Sequence, residues 1–395
     1  MPTPPLDGIR VLDLSRVLAG PWVTMTLGDL GAEVWKIENP VEGDETRTWT
    51  PPAYHGTSTY YLSANRNKAS LALDFKTEAG QAILRDLAQR ADVVVENYLT
   101  GALAKYGLDY ATLSALNPRL IYCSISGYGR TGPMAARAGY DFLIQAESGL
   151  MAITGEPDGS PQKLGVAICD VLAGMNGVQA ILAALFARER TGRGQAIDIA
   201  LLDSSVAALA NVASGSLNGG GNAKRYGNAH ASIVPYQAFD ASDAPFVLAC
   251  ANNRQFRDLC VTAIEMPELA ADERFATNAL RVNNRAALSA ILAAHFATRA
   301  VGDIVAACTA VNVPAGPVRT IEHALASPEI AARGMIYEMA DGVRVTGSPM
   351  HFSETPVRTP SPPPALGEHS DAILRNVLGY DTARIADLRR ANVIA

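Results

Sequence analysis

Apolar residues in the first third of the chain fall into short continuous runs separated by amphipathic stretches. The runs 9–14 (IRVLDL), 32–38 (AEVWKIE), 71–74, 92–96 (DVVVE) and 120–125 (LIYCSI) have the length and β-branched content of strands buried on both faces. Between the first two, residues 22–30 carry helical spacing behind Gly20-Pro21, a proline suited to a first helical turn. Residues 78–91 form a second amphipathic helix. Strand, helix, strand at this spacing is a βαβ unit and predicts an open parallel sheet. Residues 139–149 read as a short helix. From Val171 onward, Leu172, Met175, Val178, Ile181, Leu182, Leu185 and Phe186 fall at helical spacing, and Arg188, Arg190 and Gly192 supply a basic last turn and a stop. A strand over 195–200 then runs into an Ala-rich helix, 201–217.

The pattern changes at NGGGNAKRYGN (218–228), where the consecutive glycines Gly219–Gly221 read equally well as a mobile lid or a plain linker. Beyond it a smaller α/β region contains a strand at 246–251, helices near 255–264, 285–298 and 301–310, and the extended segment VPAGPV (313–318). The chain returns through a helix near 328–333, a hairpin around Asp341-Gly342, a Pro-rich connector (360–364) and helices at 370–378 and 381–391. The expected organisation is a large domain beginning at 1–217, a glycine-rich linker over 218–229, a small α/β domain over 230–325, and a return linker with C-terminal helices (326–395) packing on the large domain.

Composition narrows the function. A net charge of -6 leaves no basic footprint for nucleic acid. The longest apolar helix, 171–187, carries Asn176 and Gln179 and reads as a buried helix, so no membrane partner is expected. MPTPPLDGIR has neither a basic start nor an apolar core, and the five cysteines, Cys123, Cys169, Cys250, Cys260 and Cys308, are dispersed. Both features fit reduced thiols in a cytoplasmic chain. No HExxH or His/Cys cluster points to a metal. GYGRTG (127–132) matches GxGxxG, yet Pro133 follows at once where a dinucleotide site needs a helix to open. A glycine-rich loop at the site is the better reading.

The segment LGVAICDVLAGMNG (164–177) holds the sharpest candidate chemistry. Asp170 stands at or just before the start of the long helix, where free N–H groups and the dipole would hold a carboxylate ionised for attack. Small Ala173 and Gly174 one turn on would let a bulky ligand approach. A plain N-cap is the competing reading on local sequence alone.

Several blocks together resemble the class III CoA-transferases. They are LDGIRVLDLSRVLAGPW (6–22), LGDLGAEVWKIENPVEGDETR (27–47), NRNKASLALDFK (65–76), VENYLTGALAKYGL (95–108), SGYGRTGP (126–133), RAGYDFLIQAESGL (137–150), the Asp170 segment, TGRGQAIDIAL, GNAHASIVPYQAF and VPAGPV. The similarity runs over essentially the whole chain, in order. It implies a Rossmann-like, parallel-sheet large domain with a smaller α/β domain, in a homodimer whose chains interlock like links. It also implies that Asp170 is the nucleophile. The matching coenzyme A contacts are Val17, Ala19, Asn39, Leu73, Lys76, Asn97, Tyr98, Ala102, Lys105 and Arg137. Lys76, Lys105 and Arg137 suit phosphates, and Tyr98 suits adenine. One branch of the family has Gln where Leu18 stands and Arg where Asn39 and Lys105 stand, so a formate/oxalate-type activity is not expected.

The implied reaction moves coenzyme A from an acyl-CoA, succinyl-CoA in the first instance, to a free dicarboxylic acid through an aspartyl anhydride and a β-aspartyl-CoA thioester, with no tightly bound cofactor. A distal carboxylate calls for a cationic partner, and Arg16, Arg47, Arg225 and His230 are the candidates. Related racemases of 2-methylacyl-CoA use a His in the RAGYDF block. Tyr140 at that position is a poor base at neutral pH, so racemisation is the alternative, with a non-catalytic coenzyme A- or dinucleotide-binding protein behind it.

Overall fold

The buried runs of the first third become six strands, β1 (Arg10–Asp13), β2 (Glu33–Glu38), β3 (Lys68–Ala72), β4 (Val93–Glu96), β5 (Ile121–Ser126) and β6 (Ala196–Ala200). In the computed structural model, which describes residues 3–339 and 341–395, they pair side by side in the order β3-β2-β1-β4-β5-β6. Every pairing is parallel. This is the doubly wound order of a Rossmann sheet, and the winding reverses between β1 and β4.

Alternation along the strands feeds two cores. Val11, Val34, Val93, Val95, Ile121 and Cys123 face α1 (Ala19–Asp29) and the long helix Ile168–Thr191. Leu12, Trp35, Leu71, Val94 and Tyr122 face the opposite layer, which includes Glu78–Arg90, Tyr110–Leu116 and the C-terminal helices Ser370–Asn376 and Thr382–Arg390. We label the intervening helices α2 (Thr59–Ala64), α3 (Glu78–Arg90), α4 (Tyr110–Leu116), α5 (Asp141–Glu147), α6 (Ile168–Thr191) and α7 (Leu201–Ala208).

Helix α6 has the length and hydropathy of a membrane span, but it lies against α1, α7, β5 and β6. Its two glycines make the α1 crossing close. A Cβ on Gly174 would stand 2.8 Å from Trp22 Cδ1, and one on Gly177 2.8 Å from Val23 Cγ2. Gly174 therefore serves helix packing, which corrects the expectation that it opens room for a ligand.

Some boundaries shift for local reasons. Strand β3 begins at Lys68, ahead of its apolar residues, because that ammonium is paired inside the fold. The expected helix over 201–217 breaks after α7 and resumes as Ala210–Leu217, with Ala210 at φ +45°.

One compact unit runs through Leu150, resumes over Lys163–Gly221 and closes with Glu329–Ala395; the other comprises Met151–Gln162 and Asn222–Pro328. The second unit holds an antiparallel sheet of β7 (Tyr236–Asp240), β8 (Pro245–Ala249) and β9 (Ala315–Pro317), with β8 central. Phe239, Phe246 and Phe296 interlock at its core. Residues 151–162, expected with the first domain, group here because Arg225 staples them. Its guanidinium donates to the carbonyls of Glu156 (3.1 Å), Ala152 (3.2 Å) and Gly159 (2.7 Å).

Candidate active site

The site starts from a set of buried charges at the carboxyl end of β1. Asp13 accepts hydrogen bonds from Ser15 N (2.9 Å), Ser15 Oγ (2.5 Å), Thr24 Oγ1 (2.6 Å) and Lys68 Nζ (3.1 Å). Lys68 also donates to Pro21 O and Asn65 Oδ1, both at 3.0 Å. Lys36 donates to Asp44 (2.9 Å) and to Ser15 O (3.1 Å). Burial opposes the charge on Asp13, but Lys68, Lys36 and the two hydroxyls outweigh it and hold its carboxyl below the usual range. Burial pulls Lys68 down to about 8, whereas for Lys36 it is outweighed by Asp44, Asp13 and Glu38, and that ammonium rises to about 12.

This network dictates the path of the chain between β1 and α1. Arg16 donates its N–H to Asn97 Oδ1 (3.0 Å), and its carbonyl accepts from Asn97 Nδ2 (2.6 Å). Val17 donates to Asp44 Oδ1 (3.3 Å) and sits at φ +69°, a conformation that β-branched residues avoid. Strain of that kind survives only where the surroundings enforce it, and such places cluster at working sites.

A cavity of about 290 Å³ opens beside this turn. Residues 16–19 after β1, 97–100 after β4 and 125–127 at the end of β5 line it, together with Arg137, Gly139, Tyr140 and Asp170. It thus lies outside the carboxyl ends of the strands at the reversal of winding, where open α/β sheets bind ligands. An adjoining cavity of about 240 Å³ contains Asn39, Leu73 and Lys76 and shares Arg16, Glu45 and Tyr98 with the first.

Asp170 occupies the first turn of α6, two residues inside the helix, with Ala167 at the cap position and no side-chain cap from that residue. It is not the N-cap of its helix. That corrects the local reading as a cap and leaves Asp170 in the first turn of the helix. The N–H of Cys169 donates instead to Asp141 Oδ1 at 2.8 Å. Among the described residues Asp170 has no hydrogen-bond donor to its carboxylate, and burial followed by the charge of Asp141 pushes its carboxyl up to about 7. Tyr60 on α2 is pushed to about 12 by burial and by Asp170, Asp141 and Asp44, so its phenol stays protonated near neutral pH.

The sequence-predicted residues divide accordingly. Val17, Ala19, Asn97, Tyr98 and Arg137 share the first cavity with Asp170, as do Arg16, Leu18 and Tyr140. Asn39, Leu73 and Lys76 lie in the second, with Tyr98 between. Ala102 and Lys105 line neither; Lys105 Nζ rests over the Tyr106 ring, 4.8 Å from its centroid.

Arg47 also lies outside both cavities. It donates to Glu38 through two 2.8 Å bonds and to Tyr61 Oη at 2.6 Å, over whose ring it stacks. This guanidinium is engaged within the fold through Nε and Nη2 and lines neither cavity. Arg225 and His230 belong to the second unit, where Arg225 is the staple described above and His230 Nδ1 accepts from Ser232 N at 3.1 Å.

No helix opens within GYGRTG; β5 ends at Ser126 and the next helix is α5, so the dinucleotide fingerprint fails. Gly127 is required for another reason. A Cβ there would lie 2.6 Å from Gly139 Cα, because the two backbones cross at the cavity wall. Sequence reasoning missed Glu45, which lines both cavities, and Asp141, which lines neither but bonds the start of α6 beside Asp170. Asp141 carried a usable signal as an acidic residue in the first turn of a helix, directly after Tyr140.

A sequence profile described as CoA-transferase family III matches residues 6–370. Succinyl-CoA:glutarate CoA-transferase of Mus musculus is 45% identical over 394 residues, covering 99% of this chain and 90% of its own. Succinate–glutarate CoA-transferase of Agrobacterium fabrum is 46% identical over 381 residues, covering 94% and 95%. The crystal structure of a CAIB/BAIF family protein from Brucella suis superposes with a TM-score of 0.87 at 48% identity, covering 95% of this chain and all of that one.

Proposed function

The chain belongs to CoA-transferase family III and is a transferase, and on that premise we propose that it moves coenzyme A from succinyl-CoA to a glutarate-like dicarboxylic acid, with Asp170 as nucleophile. The substrate pair is supported by the relatives whose names carry it. The nucleophile is supported by one observation above the others: Asp170 is a carboxylate on the wall of the 290 Å³ cavity to which no donor is bonded among the described residues.

In the first half-reaction the ionised Asp170 attacks the thioester carbonyl. An O–C bond forms, the C–S bond breaks, and the negative charge leaves with the coenzyme A thiolate. The thiolate then attacks the aspartyl carbonyl, releases the donor acid and leaves a β-aspartyl-CoA thioester. The acceptor acid reverses these steps, so one difficult exchange becomes several easier acyl transfers. The uncapped start of α1, at Leu18 and Ala19 on the cavity wall, offers backbone N–H groups to the developing oxyanion.

Arg16 is the cation for the distal carboxylate of the acid. Of the arginines first considered it alone reaches the cavity, where Glu45 holds it at 2.8 Å with its side chain still half exposed. The adjoining cavity with Lys76 takes the nucleotide end of the carrier. The interlocked homodimer is carried over from the family as part of the same proposal.

Exchange of labelled succinate and glutarate through succinyl-CoA, compared between the native chain and Asp170→Ala, is the test. Transfer that vanishes in the variant supports the reading. Inversion of a 2-methylacyl-CoA without an acceptor acid, or transfer that survives in Asp170→Ala, overturns it.

A further inference from the structure

The start of α6 is capped by a residue of another helix, and that residue carries charge. Asp141 opens α5; its Oδ1 accepts the Cys169 N–H at 2.8 Å and its Oδ2 accepts Gln145 Nε2 at 2.7 Å. Gln145 is fully buried, and its Oε1 takes the Leu164 N–H at 2.9 Å. Both ends of the segment 164–169 are thereby tied to α5, and Asp141 cannot turn away from the helix start. A helix N-terminus stabilises a carboxylate most where a free N–H donates to it directly. Here a neighbouring residue has taken that place, and Asp170, one position further on, faces the cavity beside a like charge.

We propose that Asp141 is the positioning residue of the transferase. It fixes the first turn of α6 and holds Asp170 in a repelled, poorly solvated state that is relieved when Asp170 is acylated. The inference rests on Asp170 being the nucleophile.

The argument is one of charge balance. Before attack, two carboxylates bear on one helix end, Asp141 through the Cys169 N–H and Asp170 from the first turn. After attack Asp170 is a neutral anhydride with the charge on the thiolate sulfur, then a neutral thioester with the charge on the released acid, and at both stages the repulsion is gone. A carboxylate destabilised in this way is also the better nucleophile, because basicity and nucleophilicity rise together. Had Asp170 itself capped the helix, the dipole would have stabilised the form that must react, and acylation would have forfeited that stabilisation.

The other ionisable groups around Asp170 do not duplicate this role. Tyr60 on α2 and Cys169 on α6 both have protons held by burial, and Arg137, Tyr140 and Arg16 enter the cavity from the flanking loops. Arg137 is paired with Glu147 at 2.9 Å and Arg16 with Glu45 at 2.8 Å.

The experiment is the pH profile of succinate release from succinyl-CoA in a single turnover without acceptor acid. In the native chain the rate rises with pH through the titration of Asp170. Asp141→Asn keeps an oxygen for the Cys169 N–H and removes the charge, while its amide nitrogen replaces the oxygen that accepted from Gln145 Nε2. The acid limb is expected to move down by at least about one pH unit, and the plateau rate to fall about tenfold. Should Asp141→Asn fail to fold, Asp141→Ser, a neutral cap, is read in the same way.

A slower variant with its acid limb unmoved overturns the inference and leaves Asp141 a structural cap only. Peptide mapping of the adduct separates this from failure of the underlying reading. An adduct on Asp170 with an unmoved limb sinks only the role of Asp141, whereas an adduct on another residue sinks the nucleophile and this inference with it.

Discussion

Asp13 and Asp170 both stand at the carboxyl side of the same sheet, and their surroundings are opposite. Asp13 is fully buried, yet Ser15, Thr24 and Lys68 donate to it, and its carboxyl is held below the usual range. Asp170 is half-buried, receives no hydrogen bond among the described residues, adjoins Asp141 and is raised to about 7. A carboxylate that donors surround is spent on architecture, here on shaping the turn that carries Arg16 and Val17. One from which they are withheld is, on the proposed function, the one that reacts. Partner count, more than burial, separates the two.

The largest effect expected from breaking this contrast is at Asp170. Asp170→Asn should lower turnover by at least about 10³-fold while circular dichroism stays native, because a reacting oxygen is lost and packing is not. The same variant should be more stable than the native chain at neutral pH. The folded pKa of Asp170 lies above the unfolded value of 3.8, so its ionisation opposes folding. That penalty is absent below pH 3.8, grows as pH rises towards about 7 and is complete above it. The melting-temperature gain of Asp170→Asn should follow this curve; a gain confined to acid pH would contradict it.

Asp13→Ala is the mirror experiment. It strands Lys68 without its charged partner, and denaturant unfolding of the first unit should register a loss of about 3–5 kcal/mol. A smaller, selective effect belongs to Arg16→Ala, where the KM for the acid should rise about tenfold and that for the CoA ester much less. Arg47→Ala should show no such selectivity. Its bonds to Glu38 and Tyr61 make it a stability variant, and a selective rise in the acid KM would return it to the site.

The parallel sheet was legible because its strands are buried on both faces. Runs such as DVVVE and LIYCSI need no partner to be recognised. Tyr236–Asp240 was not, since YQAFD is half exposed and acquires strand character only beside Pro245–Ala249. Asp170 and the loops after β1 and β4 were singled out as candidates by family resemblance, because those blocks recur whole, and one cavity brings them together. The roles of individual arginines were not legible. Arg16, Arg47 and Arg225 look alike in sequence, and only Glu38, Tyr61 and three backbone carbonyls reveal that two of them are already engaged. The same holds for Gly174, where the facing Trp22 lies 152 positions earlier in the chain, and for Asp141, whose partner N–H is 28 residues away.

The central claim is that Asp170 alone carries the group being transferred. Incubating the native protein with succinyl-CoA in the absence of acceptor acid, then mapping the covalent adduct by peptide mass spectrometry with hydroxylamine trapping, tests it directly. The account predicts a single modified peptide with coenzyme A or hydroxamate on Asp170, abolished in Asp170→Asn. Modification of a different side chain, or full turnover with Asp170 unmodified, would contradict it.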